Sequence, residues 1–141
     1  MTHAKRYEEI EHTADVRFRV FGCDLEELFE NAAFALCDVM FRLPDVREDS
    51  ALEVEAAGGD AEETLVNFLT EIFYRYDGEH FVTRRVEIQE LSDTRVRSLL
   101  RGEPFDPLRH KVRVPIKAVT FYDVKITRDA GRYEVIITCD V

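Results

Sequence analysis

The chain has 141 residues, 45% of them hydrophobic and 11% aromatic, and its 29 acidic against 19 basic side chains give a formal net charge of −10. That length and apolar content suit one domain with a packed core, burying roughly 68% of the unfolded surface, and exclude a disordered chain. The acidic balance repels phosphate backbones, so direct gripping of DNA or RNA is not expected, whereas a basic protein partner is.

In chain order, a short strand is expected at Tyr7 to Ile10 and another at Val16 to Phe21, where Val16, Phe18 and Val20 alternate with Arg17 and Arg19. From Asp24 to about Met40 the apolar positions Leu25, Leu28, Phe29, Ala32, Leu36 and Met40 follow a helical period. After a strand at Leu52 to Ala56, a second helix from Asp60 to about Tyr76 repeats that period through Leu65, Phe68, Leu69, Ile72 and Phe73. Each helix opens with an Asp cap and a Glu three residues on, Asp24 with Glu27 and Asp60 with Glu63, an arrangement that assigns these acids to structure rather than catalysis. Gly22, Asp24, Glu26, Glu27 and Asn31 recur 36 residues later as Gly58, Asp60, Glu62, Glu63 and Asn67. Both an internal strand-turn-helix duplication and generic helix-start chemistry account for that match.

Strands then follow at Phe81 to Leu91, Arg95 to Leu100, Ala118 to Thr127 and Tyr133 to Thr138, with turn signals at Ser92-Asp93 and at Asp129-Ala130-Gly131. The fold class expected is α+β: a single domain over residues 1–141, with two amphipathic helices packed on a largely antiparallel sheet that keeps one wet face. Arg101 to Pro115 reads as the one long irregular stretch, a place where function often resides. Arg95, Arg97, Arg101, Arg109, Lys111 and Arg113 form either a positive strip or a solvated strand face, the second being the commoner use of such spacing.

Cys23, Cys37 and Cys139 are an odd number without C-x-x-C spacing, so neither a disulfide framework nor a thiolate zinc site is indicated. No segment reaches the roughly 20 apolar residues of a membrane span, and the polar start lacks the apolar core of a signal peptide, so a cytoplasmic location is expected.

The candidate chemistry lies in acids at strand ends. Asp140 ends an apolar strand beside Val141 and its carboxylate, a concentration of negative charge that calls for a cation nearby. Asp15 precedes the Val16 strand, and two such carboxylates meeting at one sheet end would form an oxygen-rich metal pocket. Lys117, at the entry of the Ala118 strand, is either a solvated lysine or a counter-charge and phosphate contact beside those acids. His12, three residues before Asp15, either ligates a metal or hydrogen-bonds the turn; His80 and His110 have no partner at ligand spacing.

Across nearly its whole length the sequence resembles the archease family. The matching stretches are EHTADVRFRVFG (Glu11 to Gly22), LEELFENAAFAL (Leu25 to Leu36), LVNFLTEIFYRYD (Leu65 to Asp77), RGEPFD (Arg101 to Asp106), IKAVTFYDVKI (Ile116 to Ile126) and CDV (Cys139 to Val141). No general packing rule demands HTAD, KAVT and a terminal acid together. The resemblance implies a protein cofactor rather than an enzyme: an activator of the RtcB-type tRNA-splicing RNA ligase, promoting guanylylation of the ligase and its multiple turnover in tRNA splicing and RNA repair. It also implies a divalent ion at Asp15, Asp140 and Val141, with Lys117 as the family's important lysine. Hard oxygen donors favour Ca²⁺, with Mg²⁺ or Mn²⁺ as alternatives, over Zn²⁺. Many relatives carry a histidine where this chain has Tyr122, so no imidazole role is expected there. RNA would be met only through the ligase, and neither DNA nor a membrane is an expected partner. The alternative from another class is a small metal-dependent enzyme acting on a nucleotide or phosphoester with Lys117 as clamp, against which stands the lack of a convincing general base.

Overall fold

The computed structural model describes residues 5–10 and 15–141. Two strand-turn-helix units organise it: β2 (Asp15–Gly22) leads into α1 (Leu25–Met40), and β3 (Ser50–Ala57) leads into α2 (Ala61–Asp77). The turns carry the capping chemistry that the sequence predicts. Asp24 accepts from the Glu27 backbone N–H at 2.8 Å while Glu27 accepts from Cys23 N–H at 2.9 Å, and Asp60 and Glu63 do the same with distances of 2.8 and 3.2 Å. Two further contacts recur that helix-start chemistry does not require. Asn31 and Asn67 each donate from Nδ2 to a carbonyl of the preceding strand, Phe21 and Ala57 respectively, both at 2.7 Å. A Cβ on Gly22 would lie 2.5 Å from the Leu28 nitrogen, and one on Gly58 2.5 Å from the Thr64 nitrogen, so each turn presses a bare backbone against the first turn of its helix. The 36-residue offset is therefore a repeated structural unit.

The remaining elements are β1 (Tyr7–Ile10), a 3-10 turn (Leu43–Asp45), β4 (Phe81–Leu91), β5 (Arg95–Pro104), β6 (Ala118–Val119), β7 (Thr127–Asp129) and β8 (Arg132–Asp140). The architecture is α+β with antiparallel pairing, and the strands divide between two sheets. One runs in the order β1-β2-β8-β6 with β7 also paired to β8; the other runs β3-β5-β4. Each strand-turn-helix unit thus feeds its own sheet, and the helices meet between them. Phe29 of α1 stacks on Phe68 of α2 with ring centroids 6.0 Å apart, and both are fully buried with Phe18, Leu36, Leu65 and Leu100. Burying each such ring contributes about 2–3 kcal/mol, enough for a few of them to fix the helix pair on the sheets.

Two sequence expectations are revised, and one open alternative is decided. First, the strand expected over Ala118 to Thr127 ends after Val119. Thr120 turns its hydroxyl onto the Thr138 carbonyl at 2.8 Å, Tyr122 N–H donates to that hydroxyl at 3.3 Å, and Asp123 takes a left-handed φ of 50°, so the ladder breaks and pairing resumes only at Thr127. Second, the irregular stretch starts later than Arg101, because β5 continues through Pro104. Of the two readings of the basic residues the solvated face holds: the arginines form no free positive strip. Arg95 pairs with Glu55 (3.2 Å), Arg97 with Glu90 (2.7 Å) and Arg101 with Glu87 (2.8 Å) across the outer face of the three-stranded sheet, while Arg109 pairs with Glu103 and Arg113 approaches Asp38. This is the solvated face, laced with cross-strand ion pairs. No helix among the described residues is long and apolar enough to cross a membrane.

Candidate functional site

β8 is the central strand of the larger sheet, and its last residue collects the site. Asp140 lies directly opposite Asp15, the first residue of β2, on one side, and opposite Ala118, the first residue of β6, on the other. Directly opposed residues of an antiparallel pair project from the same face with Cβ atoms about 4.5–5.5 Å apart, and like charges so placed are mutually destabilising. The two carboxylates predicted to share one sheet end therefore do share it. Ala118, with only a methyl group, leaves the other flank of Asp140 open. Lys117 joins from the chain leading into β6, its backbone N–H donating to the Asp140 carbonyl at 2.8 Å. Asp15 is half-buried, whereas Asp140, Val141 and Lys117 are exposed. Val141 follows at the same edge. His12, the weaker candidate, lies outside the described residues.

The field at this end is legible in its neighbour. Cys139 is fully buried one residue inside, and its thiol is pushed up to about 12, first by burial and then by the charges of Asp140 and Asp15. Both acids thus act on one point, and the sulfur stays a neutral thiol. Among the described residues no group of three His, Cys, Asp or Glu side chains is placed to hold a metal ion. The donor set is accordingly two hard carboxylates on one face beside an open edge: it suits an ion that keeps coordination positions for water or for an incoming oxygen ligand, and does not suit a closed structural zinc site. A cleft of about 460 Å³ lies elsewhere, between α1 and β4, lined by Arg6, Glu30, Phe34 and Arg84 among others.

A second cluster of titratable groups was not visible in sequence. Glu103, at the end of β5, is 5% exposed and accepts from Arg109 (2.5 and 2.9 Å), from His110 Nε2 (2.9 Å) and from the Arg47 backbone N–H (2.6 Å). Its carboxyl is held down at about 2, chiefly by the Arg109 hydrogen bonds. His110 Nδ1 accepts the Asp106 N–H at 2.8 Å, which leaves Nε2 as the donor to Glu103. Every polar atom of the pair faces a protein partner. The cluster clasps the loop after β5 onto the body of the protein, which is why the RGEPFD stretch carries its glutamate and why His110, lacking any partner at ligand spacing, is nevertheless buried.

The Archease protein family is matched by residues 7–141. The chain belongs to the archease family. It is 41% identical over 130 residues to Protein archease of Methanopyrus kandleri, covering 90% of this chain and 93% of that one. Against Protein archease-like of Drosophila melanogaster it is 32% identical over 141 residues, covering 96% and 90%. The archease fold is shared with the solution structure of Methanobacterium thermoautotrophicum protein 1598, with a TM-score of 0.81, 30% identity and coverage of 96% and 99%. A crystal structure of an archease, possible chaperone, from Thermotoga maritima shares the fold at a TM-score of 0.68 and 20% identity over the full length of both chains.

Proposed function

We propose that this archease is a protein cofactor of an RtcB-type RNA ligase, acting through a divalent ion held at the end of the larger sheet. The observation that carries the reading is the register: Asp15 opposite Asp140, with the Lys117 backbone bonded to Asp140. Two opposed carboxylates favour a cation between them, and hard oxygen donors favour Ca²⁺, with Mg²⁺ or Mn²⁺ also suited. Bound there, the ion supplies positive charge for phosphate oxygens or for metal exchange at the ligase active site. Asp15 and Asp140 hold it, Val141 adds to the oxygen set, and Lys117 contributes a flexible ammonium as a phosphate contact. The chemistry of RNA joining stays with the ligase, and RNA is met through it. An independent phosphoesterase would use a concave pocket with a general base; among the described residues this site is an open edge, which favours the cofactor reading.

The test is ligase guanylylation and multiple-turnover RNA joining, with wild type, Asp15→Ala and Asp140→Ala at controlled divalent ion. Stimulation is expected to fall by about tenfold or more in either variant while the thermal midpoint measured without divalent ion holds. Full stimulation by folded variants would refute the role of the acids. Absence of stimulation by wild type with a cognate ligase would refute the cofactor role itself.

A further inference from the structure

Six large apolar side chains are exposed among the described residues, and three of them lie close in the chain to the rung of Asp140: Val141 (41%) follows Asp140 itself, and Phe121 (58%) and Tyr122 (66%) follow its β6 partner Ala118 by three and four residues. Phe121 and Tyr122 follow β6 by two and three residues, so Lys117 precedes them by no more than five residues of chain. The turn that displays them is fixed. Thr120 donates both its N–H (3.0 Å) and its hydroxyl (2.8 Å) to the Thr138 carbonyl, Tyr122 N–H donates to the Thr120 hydroxyl, and Ile126 N–H is held by Glu62 at 3.2 Å. Neither ring belongs to the hydrophobic core. A rigid backbone holding two adjacent aromatic rings in water, beside a charged site, has the composition of an interface hot spot, because such rings bury large area at small entropic cost.

We propose that Phe121 and Tyr122 are the anchor by which the protein docks on its partner, seating in an apolar depression of a protein surface rimmed with basic side chains. The inference rests on the cofactor reading above and names the surface it uses. The basic rim follows from charge: Asp123 adjoins the rings in the chain, and Asp140 lies opposite Ala118, three and four residues before them, on a molecule of net charge −10. That field disfavours a polyanion as the primary occupant and favours a cationic protein surface. Anchoring at this turn would bring the sheet end, three to four residues of chain away at Ala118, against the partner at the same time.

The experiment is calorimetric titration of the ligase with wild type, Phe121→Ser/Tyr122→Ser and Tyr74→Ser, the last removing an aromatic on α2 that is 53% exposed. The double variant is expected to weaken affinity by about 100-fold, near tenfold for each ring, while keeping the wild-type thermal midpoint, its divalent-ion binding and its stimulation at saturating concentration. Tyr74→Ser is expected to bind as wild type. Unchanged affinity in the double variant, or an equal loss in Tyr74→Ser, would overturn the anchor; if Asp140→Ala still abolishes stimulation, the cofactor reading survives that failure. A double variant that loses only affinity for a labelled RNA oligonucleotide, or only self-association in sedimentation, would equally overturn it. Failure of wild type to bind the ligase would remove both.

Discussion

Replacing Glu103 by Gln tests whether the clasp after β5 is held by charge. Glu103 is nearly sealed from solvent and receives four donors, so its carboxyl sits at about 2 rather than 4.5. The folded value is depressed, so the stabilisation is fully present above the unfolded value and is lost as pH falls from about 4.5 through about 2. The shift corresponds to at most about 3 kcal/mol. Arg109, the leading partner, keeps 31% of its side chain open to screening water, which lowers the expected contribution to about 2 kcal/mol. Glu103→Gln keeps the shape but points an amide N–H₂ at a site lined only by donors, so a loss of about 2–3 kcal/mol is expected at pH 7. Urea unfolding at pH 7 and at pH 2.5 checks this. The wild-type advantage should be large at pH 7 and mostly gone at pH 2.5, with the urea dependence unchanged. Equal midpoints at pH 7, or a difference that does not shrink in acid, would refute the argument.

The paired asparagines give a graded comparison. Asn31 is buried, donates to Phe21 and also accepts from Arg6 Nε at 2.8 Å, whereas Asn67 donates to Ala57 in a more open setting. Asn31→Ala should cost about 1–3 kcal/mol in chemical denaturation and Asn67→Ala less than half of that; equal losses would show that the two units are not loaded differently. Thiol labelling of the native protein should proceed only at exposed Cys23, since Cys37 and Cys139 are buried with thiols pushed up to about 12. All three should react once the protein is unfolded, and fast native labelling of Cys139 would mean that the β8 end opens readily.

Much of this was legible in the sequence because it is written locally. Helix periods, Asp caps and their Glu partners all depend on residues within a turn of each other, and α1 and α2 fall within a residue of their expected limits. The shared sheet end of Asp15 and Asp140 was also within reach, since Asp15 stands before an alternating run and Asp140 at the end of an apolar one. What could not be read is non-local or depends on a single hydroxyl. Nothing in the spacing of Thr120 announces that it will bond Thr138 and break the strand, exposing Phe121 and Tyr122. Glu103 and His110 look like unrelated loop residues until the chain folds back and brings them to 2.9 Å. The division into two sheets follows from which partners β5 and β8 choose, a non-local outcome that no pattern within a single strand displays.

The β2–β8 ladder runs through eight residue pairs, and Asp15 with Asp140 is its terminal rung. These positions are 125 residues apart in the chain and become neighbours only when that ladder has closed, so a cation between them binds the folded state and has no equivalent place in the unfolded one. Its binding and the zipping of the last rung are then one equilibrium. At an ion concentration 100 times its dissociation constant this linkage would add about 2.7 kcal/mol to global stability. On the proposed reading the sheet end would act as a sensor: a molecule whose ladder had slipped or opened would not retain the ion, and would meet a partner with an empty hand.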